Sequence, residues 1–318
     1  MPQPFSPRRE LGRTGFRVTP LGIGDLADRQ VPIEQCVATA RRAIGAGLNL
    51  IDTAPSYESG YSEQIVGRAL RESGMRDRMF VINKIDHHDQ PVTPQVEASL
   101  ANMGIEHVDL FVFHGLSTLE GWQRITAPGS GMDQLQSCVD AGKARFRGIS
   151  SHHPDVLREA IESGLCDVVM FPIGPFVDER YVNETLPLAK EHGVGTVCFK
   201  TFGAGKLVAD TSGYNQPLKN RPRGKMSSGG SAPGVATEEA TLPRLTVREC
   251  LHYTLTLDPD VALLGLSFPN EQDAAFAAAA DFASGGPLSP QVVADIRYRA
   301  VEARRDKGPC WWNPAPNA

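Results

Sequence analysis

The chain has 318 residues, with 32 Lys and Arg against 37 Asp and Glu, and a formal net charge of -5. A pI of about 5.9 leaves no basic excess to neutralise phosphates, so we expect no nucleic-acid partner. Six cysteines lie far apart without a CxxC pair, which predicts neither a metal site nor a disulfide framework and fits a reducing compartment.

The N-terminal segment has no apolar run of the kind that leader peptides contain. Arg8 and Arg9 are followed by Glu10 and Arg13, which interrupt every candidate segment. We therefore expect a cytoplasmic protein that has no membrane partner.

Eight runs of strand length recur along the chain, and each is continuously apolar rather than alternating. Parallel strands that helices cover on both faces have this pattern. The runs span residues 18–24, 48–53, 79–84, 108–114, 145–150, 167–172, 195–200 and 261–267. Before the first run, residues 9–11 and 16–18 are predicted to form a β-hairpin around the turn at residues 13–15.

Segments with helical periodicity separate the apolar runs, and most of them end at glycine, a usual C-cap residue. They span residues 33–47, 62–74, 93–104, 132–143, 153–164, 182–193, 245–257 and 270–283. Ser62 and Thr93 are the predicted N-caps of two of them, with Pro94 at a first helical position. Eight successive strand and helix units predict an α/β fold, a closed (β/α)8 TIM barrel, which forms a single domain.

Two segments depart from this alternation. Residues 203–244 are rich in Gly, Ser and Pro, which predicts a long loop after the seventh strand and a candidate lid. After the barrel, which ends near residue 285, residues 286–318 contain one more helical segment and a tail with Trp311 and Trp312. We expect this tail to dock on the barrel, and the alternative is an exposed terminus.

Polar side chains stand at the ends of three consecutive predicted strands. Asp52 ends the second strand, Lys84 the third and His114 the fourth, and Tyr57 lies in the loop after the second. Singly, these residues are explained as a turn cap, a solvent-reaching lysine, a core histidine and a loop aromatic. Jointly they favour an active site, because the carboxyl ends of barrel strands meet at one mouth.

The four residue types form a chain that delivers a proton. Tyrosine has a reference pKa of about 10 and is a poor acid near neutral pH, but a nearby ammonium lowers that pKa. The pattern predicts that Asp52 holds Lys84 and that Lys84 tunes Tyr57. Tyr57 would then protonate a carbonyl oxygen that His114 orients by hydrogen bonding.

Five stretches of the sequence resemble the aldo-keto reductases in their order and spacing. They are LGRTGFRVTPLGIG, LNLIDTAPSYESGYSEQIVGRAL, MFVINK, VDLFVFH and GISS, and the resemblance extends over roughly residues 10–285. It implies a barrel that binds a nicotinamide dinucleotide without a Rossmann fingerprint and transfers hydride to an aldehyde or ketone. Asp52, Tyr57, Lys84 and His114 match the family's catalytic tetrad.

The resemblance also implies a set of cofactor-binding positions, several of which carry unusual residues. Ser151 stands in place of an asparagine, Met170 in place of a glutamine, and Phe199 in place of a tyrosine that stacks on the nicotinamide. The family pattern favours NADP(H) over NAD(H), although Leu266 and Gln272 replace the Lys and Arg that read the 2′-phosphate. The implied positions are Gly24, Asp25, Ser150, Ser151, Met170, Phe199, Lys200, Gly203, Gly205, Ser267 and Gln272.

Four of these positions are assigned to phosphate groups. Lys200 would meet the pyrophosphate, with a salt bridge at the barrel rim as the alternative. Gly203 and Gly205 would let backbone N–H groups approach phosphate. Ser267, with the start of the following helix, would receive another phosphate through free N–H donors.

The sequence therefore predicts an NAD(P)H-dependent oxidoreductase acting on a small carbonyl compound, or on the corresponding alcohol or sugar, with Tyr57 as general acid and base. One alternative is a cofactor-binding regulatory subunit with little turnover, and another is a barrel hydrolase or aldolase with Lys84 as a Schiff-base amine. Phe113, Trp122, Phe176 and one tail tryptophan are predicted to wall an apolar pocket. The sequence predicts no particular oligomeric state.

Overall fold

The computed structural model describes residues 5–24, 29, 31–208, 243–265, 269–307, 310 and 312–313. Within these residues, eight parallel strands form a closed barrel in the order β10-β3-β4-β5-β6-β7-β8-β9. They are β3 (Leu21–Gly24), β4 (Leu50–Asp52), β5 (Phe80–Ile85), β6 (Leu110–Phe113), β7 (Phe146–Ser150), β8 (Val168–Pro172), β9 (Gly195–Phe199) and β10 (Val261–Leu264). Each of the eight predicted runs overlaps a barrel strand, so the predicted (β/α)8 barrel is confirmed.

A two-stranded antiparallel hairpin, β1 (Arg9–Glu10) and β2 (Arg17–Val18), precedes the barrel, as predicted. Leu11 and Val18 belong to the same buried apolar cluster as barrel residues such as Leu50 and Val197. The hairpin therefore packs against the interior of the barrel at the end opposite to the carboxyl ends of the strands.

Ten helices surround the barrel or follow it within the described part of the chain. They are α1 (Ile33–Gly45), α2 (Tyr61–Ser73), α3 (Val92–Met103), α4 (Leu119–Thr126), α5 (Gly131–Asp140), α6 (Pro154–Glu162), α7 (Leu186–Glu191), α8 (Val247–Leu257), α9 (Pro269–Gly285) and α10 (Pro290–Ala303). Their buried faces and the outer faces of the strands form a second, larger apolar cluster. None of these helices is long and apolar enough to cross a membrane.

Both predicted N-caps are wrong, because the helices begin earlier than the capping pattern indicated. Helix α2 begins at Tyr61 after Gly60, and the buried hydroxyl of Ser62 instead accepts a hydrogen bond from the Thr53 hydroxyl at 2.8 Å. Helix α3 begins after Pro91, whose ring fixes φ close to the helical value, so Thr93 lies inside the first turn.

Two helical features differ from the prediction. Helix α4 was not predicted from the sequence. The side chain of Thr118 caps it by accepting from the Gly121 N–H at 3.0 Å, and Trp122 and Ile125 bury its inner face. The predicted helix at residues 182–193 is divided into a π-helical turn, Tyr181–Thr185, and the short helix α7.

The C-terminal tail docks on the barrel through Trp312, as predicted. The Trp312 side chain is fully buried and donates from Nε1 to the Phe176 carbonyl at 3.2 Å, while the Tyr181 hydroxyl donates to the Trp312 carbonyl at 3.1 Å. Trp311 and most of the predicted loop, residues 209–242, lie outside the described residues.

The contact between α2 and α3 depends on Gly67. A Cβ atom at position 67 would overlap the backbone carbonyl of Met103. Backbone atoms cannot rotate out of the way as a flexible side chain can. We expect Gly67→Ala to lower the free energy of unfolding by about 1–3 kcal/mol, measured by denaturant unfolding. Gly45→Ala is the matched control, because a Cβ there meets nothing within 4 Å, and its stability should stay within about 1 kcal/mol of the parent. Equal effects of the two changes would contradict this account.

Candidate active site

A cavity of about 290 Å³ opens at the carboxyl ends of the barrel strands. All four predicted catalytic residues line it, together with segments that follow β7, β9 and β10. The lining residues are Gly24, Asp52, Tyr57, Lys84, His114, Ser150, His152, Met170, Phe199, Lys200, Thr201, Phe202, Ala204, Leu263, Leu264 and Gly265. The fold thus brings the four residues to one place.

Asp52 and Lys84 form a buried ion pair at the floor of this cavity. Lys84 Nζ donates to Asp52 Oδ1 at 2.6 Å and to the Thr53 carbonyl at 2.8 Å, and the two side chains are only 1% and 2% exposed. They come from adjacent strands, β4 and β5, which fixes their separation. Gly24 on β3 leaves room for the carboxylate, since a Cβ there would lie 3.0 Å from Asp52 Oδ2.

Tyr57 lies directly above this ion pair. The Lys84 ammonium is 4.5 Å from the centroid of the Tyr57 ring, and the Tyr57 and His114 rings meet edge to face with centroids 5.6 Å apart. A phenol, a buried ammonium and an imidazole therefore share one wall of the cavity. This arrangement can hold and move a proton at the Tyr57 oxygen.

Asp86, which the sequence analysis did not identify, pairs with His114. Asp86 Oδ1 lies 2.5 Å from His114 Nδ1, and Oδ2 accepts from the Ser56 backbone N–H at 2.8 Å. Asp86 stands two residues after Lys84, and side chains two apart point to the same face of an extended segment. That spacing is the signal that could have identified it.

His152 is a second lining residue that the sequence analysis missed. Its ring packs against Phe199 with centroids 5.2 Å apart, and its backbone N–H donates to the Ser117 hydroxyl at 3.0 Å. Burial, and then the charges of Lys200 and His114, hold the pKa of His152 well below its usual value. The ring is therefore neutral near pH 7 and adds a polar, uncharged group to the cavity.

Lys200 lies at the rim of the cavity in a left-handed backbone conformation, with φ of 74°. Its ammonium lies 5.3 Å from the Phe199 ring centroid and 5.4 Å from that of Trp312. The neighbouring Thr201 is 1% exposed, and its hydroxyl has no hydrogen-bond partner among the described residues. The segment after β9 thus brings a cation and a buried hydroxyl to the cavity.

The predicted cofactor positions divide into three groups. Five of them line the cavity, namely Gly24, Ser150, Met170, Phe199 and Lys200. Four others, Ser151, Gly203, Gly205 and Gln272, are not among its lining residues. The remaining two, Asp25 and Ser267, lie outside the described residues, as does Leu266.

The polar groups of the four non-lining positions take part in contacts within the protein. The Ser151 hydroxyl accepts from the His153 N–H at 3.1 Å. The N–H groups of Gly203 and Gly205 close a turn by donating to the carbonyls of residues 200 and 202. Gln272 is fully buried, where it donates to the Thr39 carbonyl at 2.9 Å and accepts from the Arg42 guanidinium at 3.3 Å.

The predicted apolar wall is wrong: Phe113, Trp122 and Phe176 do not line the cavity, and neither does Trp312, the tail tryptophan that the structure describes. Phe113, on β6, and Trp122, on α4, are instead buried in the outer cluster between strands and helices. The apolar side chains that line the cavity are instead those of Met170, Phe199, Phe202, Leu263 and Leu264. Nowhere in the described ranges do three or more His, Cys, Asp or Glu side chains form a group that could hold a metal ion.

The fold and the site define the class of protein. A closed eight-stranded parallel barrel that gathers its polar side chains at the carboxyl ends of the strands is a (β/α)8 barrel. The sequence profile of the Aldo/keto reductase family matches residues 20–293. The chain therefore belongs to the aldo-keto reductase family.

Curated relatives share between a quarter and a third of their residues with this chain. An NADH-specific methylglyoxal reductase of Escherichia coli is 29% identical over 222 residues, which cover 63% of this chain and 65% of that protein. An L-galactose dehydrogenase of Arabidopsis thaliana is 27% identical over 217 residues, which cover 63% and 66%. The chain thus spans slightly less than two thirds of these relatives' own length.

Solved structures share the fold across nearly the whole chain. The holo form of an aldo-keto reductase from Bacillus halodurans has a TM-score of 0.66 at 22% identity, covering 93% of this chain and 95% of that one. An aldo/keto reductase from Klebsiella pneumoniae in complex with NADP and acetate has a TM-score of 0.62 at 19% identity, covering 91% and 93%. At these identities the similarity shows the fold alone.

The buried ion pair allows a test by stepwise neutralisation. We expect Asp52→Asn to lower the free energy of unfolding by about 3–5 kcal/mol, because it leaves the Lys84 ammonium buried without its counter-ion. The double variant D52N/K84M should recover part of that loss, since it removes both charges. Denaturant unfolding of the two variants and of K84M alone measures the coupling. Additive effects would contradict a direct pairing.

Proposed function

We propose that this chain is an NAD(P)(H)-dependent oxidoreductase that reduces an aldehyde or ketone, or oxidises the corresponding alcohol or sugar. The observation that carries the proposal is the buried pairing of Asp52 with Lys84 directly beneath the Tyr57 ring. Membership of the aldo-keto reductase family supports it. Tyr57 is the proposed general acid and base.

The lining residues fit a nicotinamide dinucleotide. Phe199 offers an aromatic face for stacking, and the Ser150 hydroxyl suits a carboxamide. The Lys200 ammonium and the buried Thr201 hydroxyl suit an anionic phosphate, and the hydroxyl lacks a hydrogen-bond partner in the described part of the chain. When bound in its reduced form, the cofactor would supply the hydride.

The protein's own contribution is to place and move a proton. The Lys84 ammonium stabilises the ionised form of the nearby phenol, and Asp52 keeps that ammonium charged and in place. Tyr57 then gives its proton to the carbonyl oxygen as negative charge develops there. In the oxidative direction the same oxygen takes the proton of the alcohol.

The structure offers no support to the two alternative functions. A Schiff base requires a neutral lysine with a free lone pair, whereas Lys84 Nζ donates to both Asp52 and the Thr53 carbonyl. A regulatory subunit would not need the ion pair, the phenol and the imidazole to meet in one cavity. We therefore propose an oxidoreductase rather than either alternative.

The proton role is tested by Tyr57→Phe. We expect kcat to fall by about 10²–10⁴-fold with carbonyl substrates, with cofactor binding nearly unchanged, because the ring remains and only the acid is lost. Methylglyoxal and L-galactose, which appear in the names of the relatives, belong in the substrate panel. Tyr298→Phe is the matched control, since that phenol is 75% exposed on α10 and its loss should change nothing. Full turnover by Y57F would refute the proposed role.

We further propose that the chain discriminates only weakly between NADPH and NADH. The sequence pattern favours NADP(H), but the position that would read the 2′-phosphate holds Gln272, whose amide is engaged with Thr39 and Arg42. No extra charged contact is therefore expected there. A charge-assisted contact is the kind of interaction that would give strong discrimination.

Titration of the protein's tryptophan fluorescence measures this preference directly. We expect dissociation constants for NADPH and NADH that differ by less than about tenfold, which corresponds to 1.4 kcal/mol. Repeating the titration with the oxidised cofactors controls for effects of the nicotinamide. A preference for NADPH of a hundredfold or more would mean that another cation reads the phosphate.

A further inference from the structure

A second carboxylate, Asp86, contacts the cavity-lining residue His114, and the proton transfer by Tyr57 does not use it. Asp86 Oδ1 lies 2.5 Å from His114 Nδ1, and the carboxyl group also accepts from the Ser56 N–H at 2.8 Å and from the Ser56 hydroxyl at 3.2 Å. The Asp86 and His114 side chains are 14% and 24% exposed. The pair is therefore held in place, and its His114 member lines the cavity.

The charge state of Asp86 determines which nitrogen of His114 carries a proton. Burial alone raises the pKa of Asp86, but the hydrogen bond and charge of His114, with those of Ser56, more than offset it and leave the pKa below its usual value. Asp86 is therefore ionised at neutral pH. An ionised carboxylate can only accept hydrogen bonds, so His114 Nδ1 must be the donor.

This arrangement leaves Nε2 as the nitrogen of His114 that is available to a ligand. In the neutral ring, Nε2 carries a lone pair and accepts a hydrogen bond from a hydroxyl group. In the protonated ring, Nε2 is a donor and can bind a carbonyl oxygen. A carbonyl substrate and an alcohol substrate therefore need different protonation states of the same residue.

We propose that Asp86 is a positioning residue that fixes the Nδ1 proton of His114, so that protonated His114 binds the carbonyl and neutral His114 binds the alcohol. The proposal rests on the proposed function, and it adds how carbonyl reduction and alcohol oxidation depend on pH. The Asp86 carboxylate contributes a favourable charge interaction to the protonated ring, so its removal should weaken binding of the carbonyl relative to the alcohol. Nothing is oxidised or reduced in this step, and one proton is gained or lost at Nε2.

Titratable groups from several elements surround His114. Burial lowers the pKa of His88, whose Nε2 contacts the His114 carbonyl, and burial also lowers the pKa of His152 across the cavity. Both rings are therefore neutral near pH 7. Tyr57 meets the imidazole edge to face, and the Lys84 charge beneath Tyr57 is paired with Asp52. Asp86 is the anion in direct contact with the imidazole.

The first experiment compares pH profiles of carbonyl reduction and alcohol oxidation for the parent and Asp86→Asn. We expect the alkaline loss of reductive kcat/KM to move to lower pH by about 1–2 units in D86N, because the imidazolium loses its counter-ion. Alcohol oxidation should extend to lower pH by a similar amount. Asp89→Asn is the matched control, since Asp89 is exposed on the same segment and its loss should leave both profiles in place. Superimposable profiles of D86N and the parent would overturn the proposal.

The second experiment needs neither substrate nor turnover. Imidazole nitrogen resonances of His114, assigned with an H114Q variant, should show a protonated Nδ1 in the parent across the neutral range. In D86N the titration of the ring should move to lower pH. A parent ring protonated only at Nε2 would overturn the proposal. Full turnover by Y57F would refute the proposed function. The nitrogen resonances of His114 would still show whether Asp86 fixes its Nδ1 proton.

A third variant keeps the proposal testable if D86N does not fold. Ser56→Ala removes the hydroxyl that competes with His114 for Asp86 Oδ1, while the backbone N–H of residue 56 still holds Oδ2. The carboxylate then pairs more strongly with His114. We expect the reductive profile to move slightly to higher pH, opposite to D86N. A shift to lower pH, or none, would overturn the proposal.

Discussion

The ion pair between Asp52 and Lys84 is the interaction on which the site depends. Two charges removed from water destabilise a protein unless they are paired and their remaining hydrogen-bonding capacity is satisfied. Here the 2.6 Å contact and the Thr53 carbonyl satisfy the ammonium, and adjacent strands hold both partners in register. Because both partners stand on paired barrel strands, the barrel itself holds the Lys84 charge beside the Tyr57 ring.

Two carboxylates near the mouth of the barrel have different partners. Asp52 supports the cation beneath Tyr57, while Asp86 supports the imidazole of His114, and the two rings meet edge to face. Each proton-carrying group thus has its own anionic partner, directly for His114 and through Lys84 for Tyr57.

Trp312 packs beside the site although it is remote from it in sequence. Trp312 is fully buried, contacts the segment after β8 through Phe176 and Tyr181, and places its ring beside Lys200. The cation that faces the cavity is therefore held between Trp312 and Phe199. The docked tail therefore contributes one of the two aromatic rings that contact this cation.

The sequence by itself determined the barrel and where its four predicted catalytic residues stand along the strands. Buried parallel strands are continuously apolar, and polar residues at their ends necessarily meet at one mouth. Only the tertiary structure decided which groups pair there: Asp86 contacts a histidine 28 residues away, and Gln272 is engaged with α1 rather than exposed to a ligand. The periodicity of a sequence depends only on neighbours along the chain. These contacts depend instead on distances between segments that are far apart in sequence, and the closure of the barrel sets those distances.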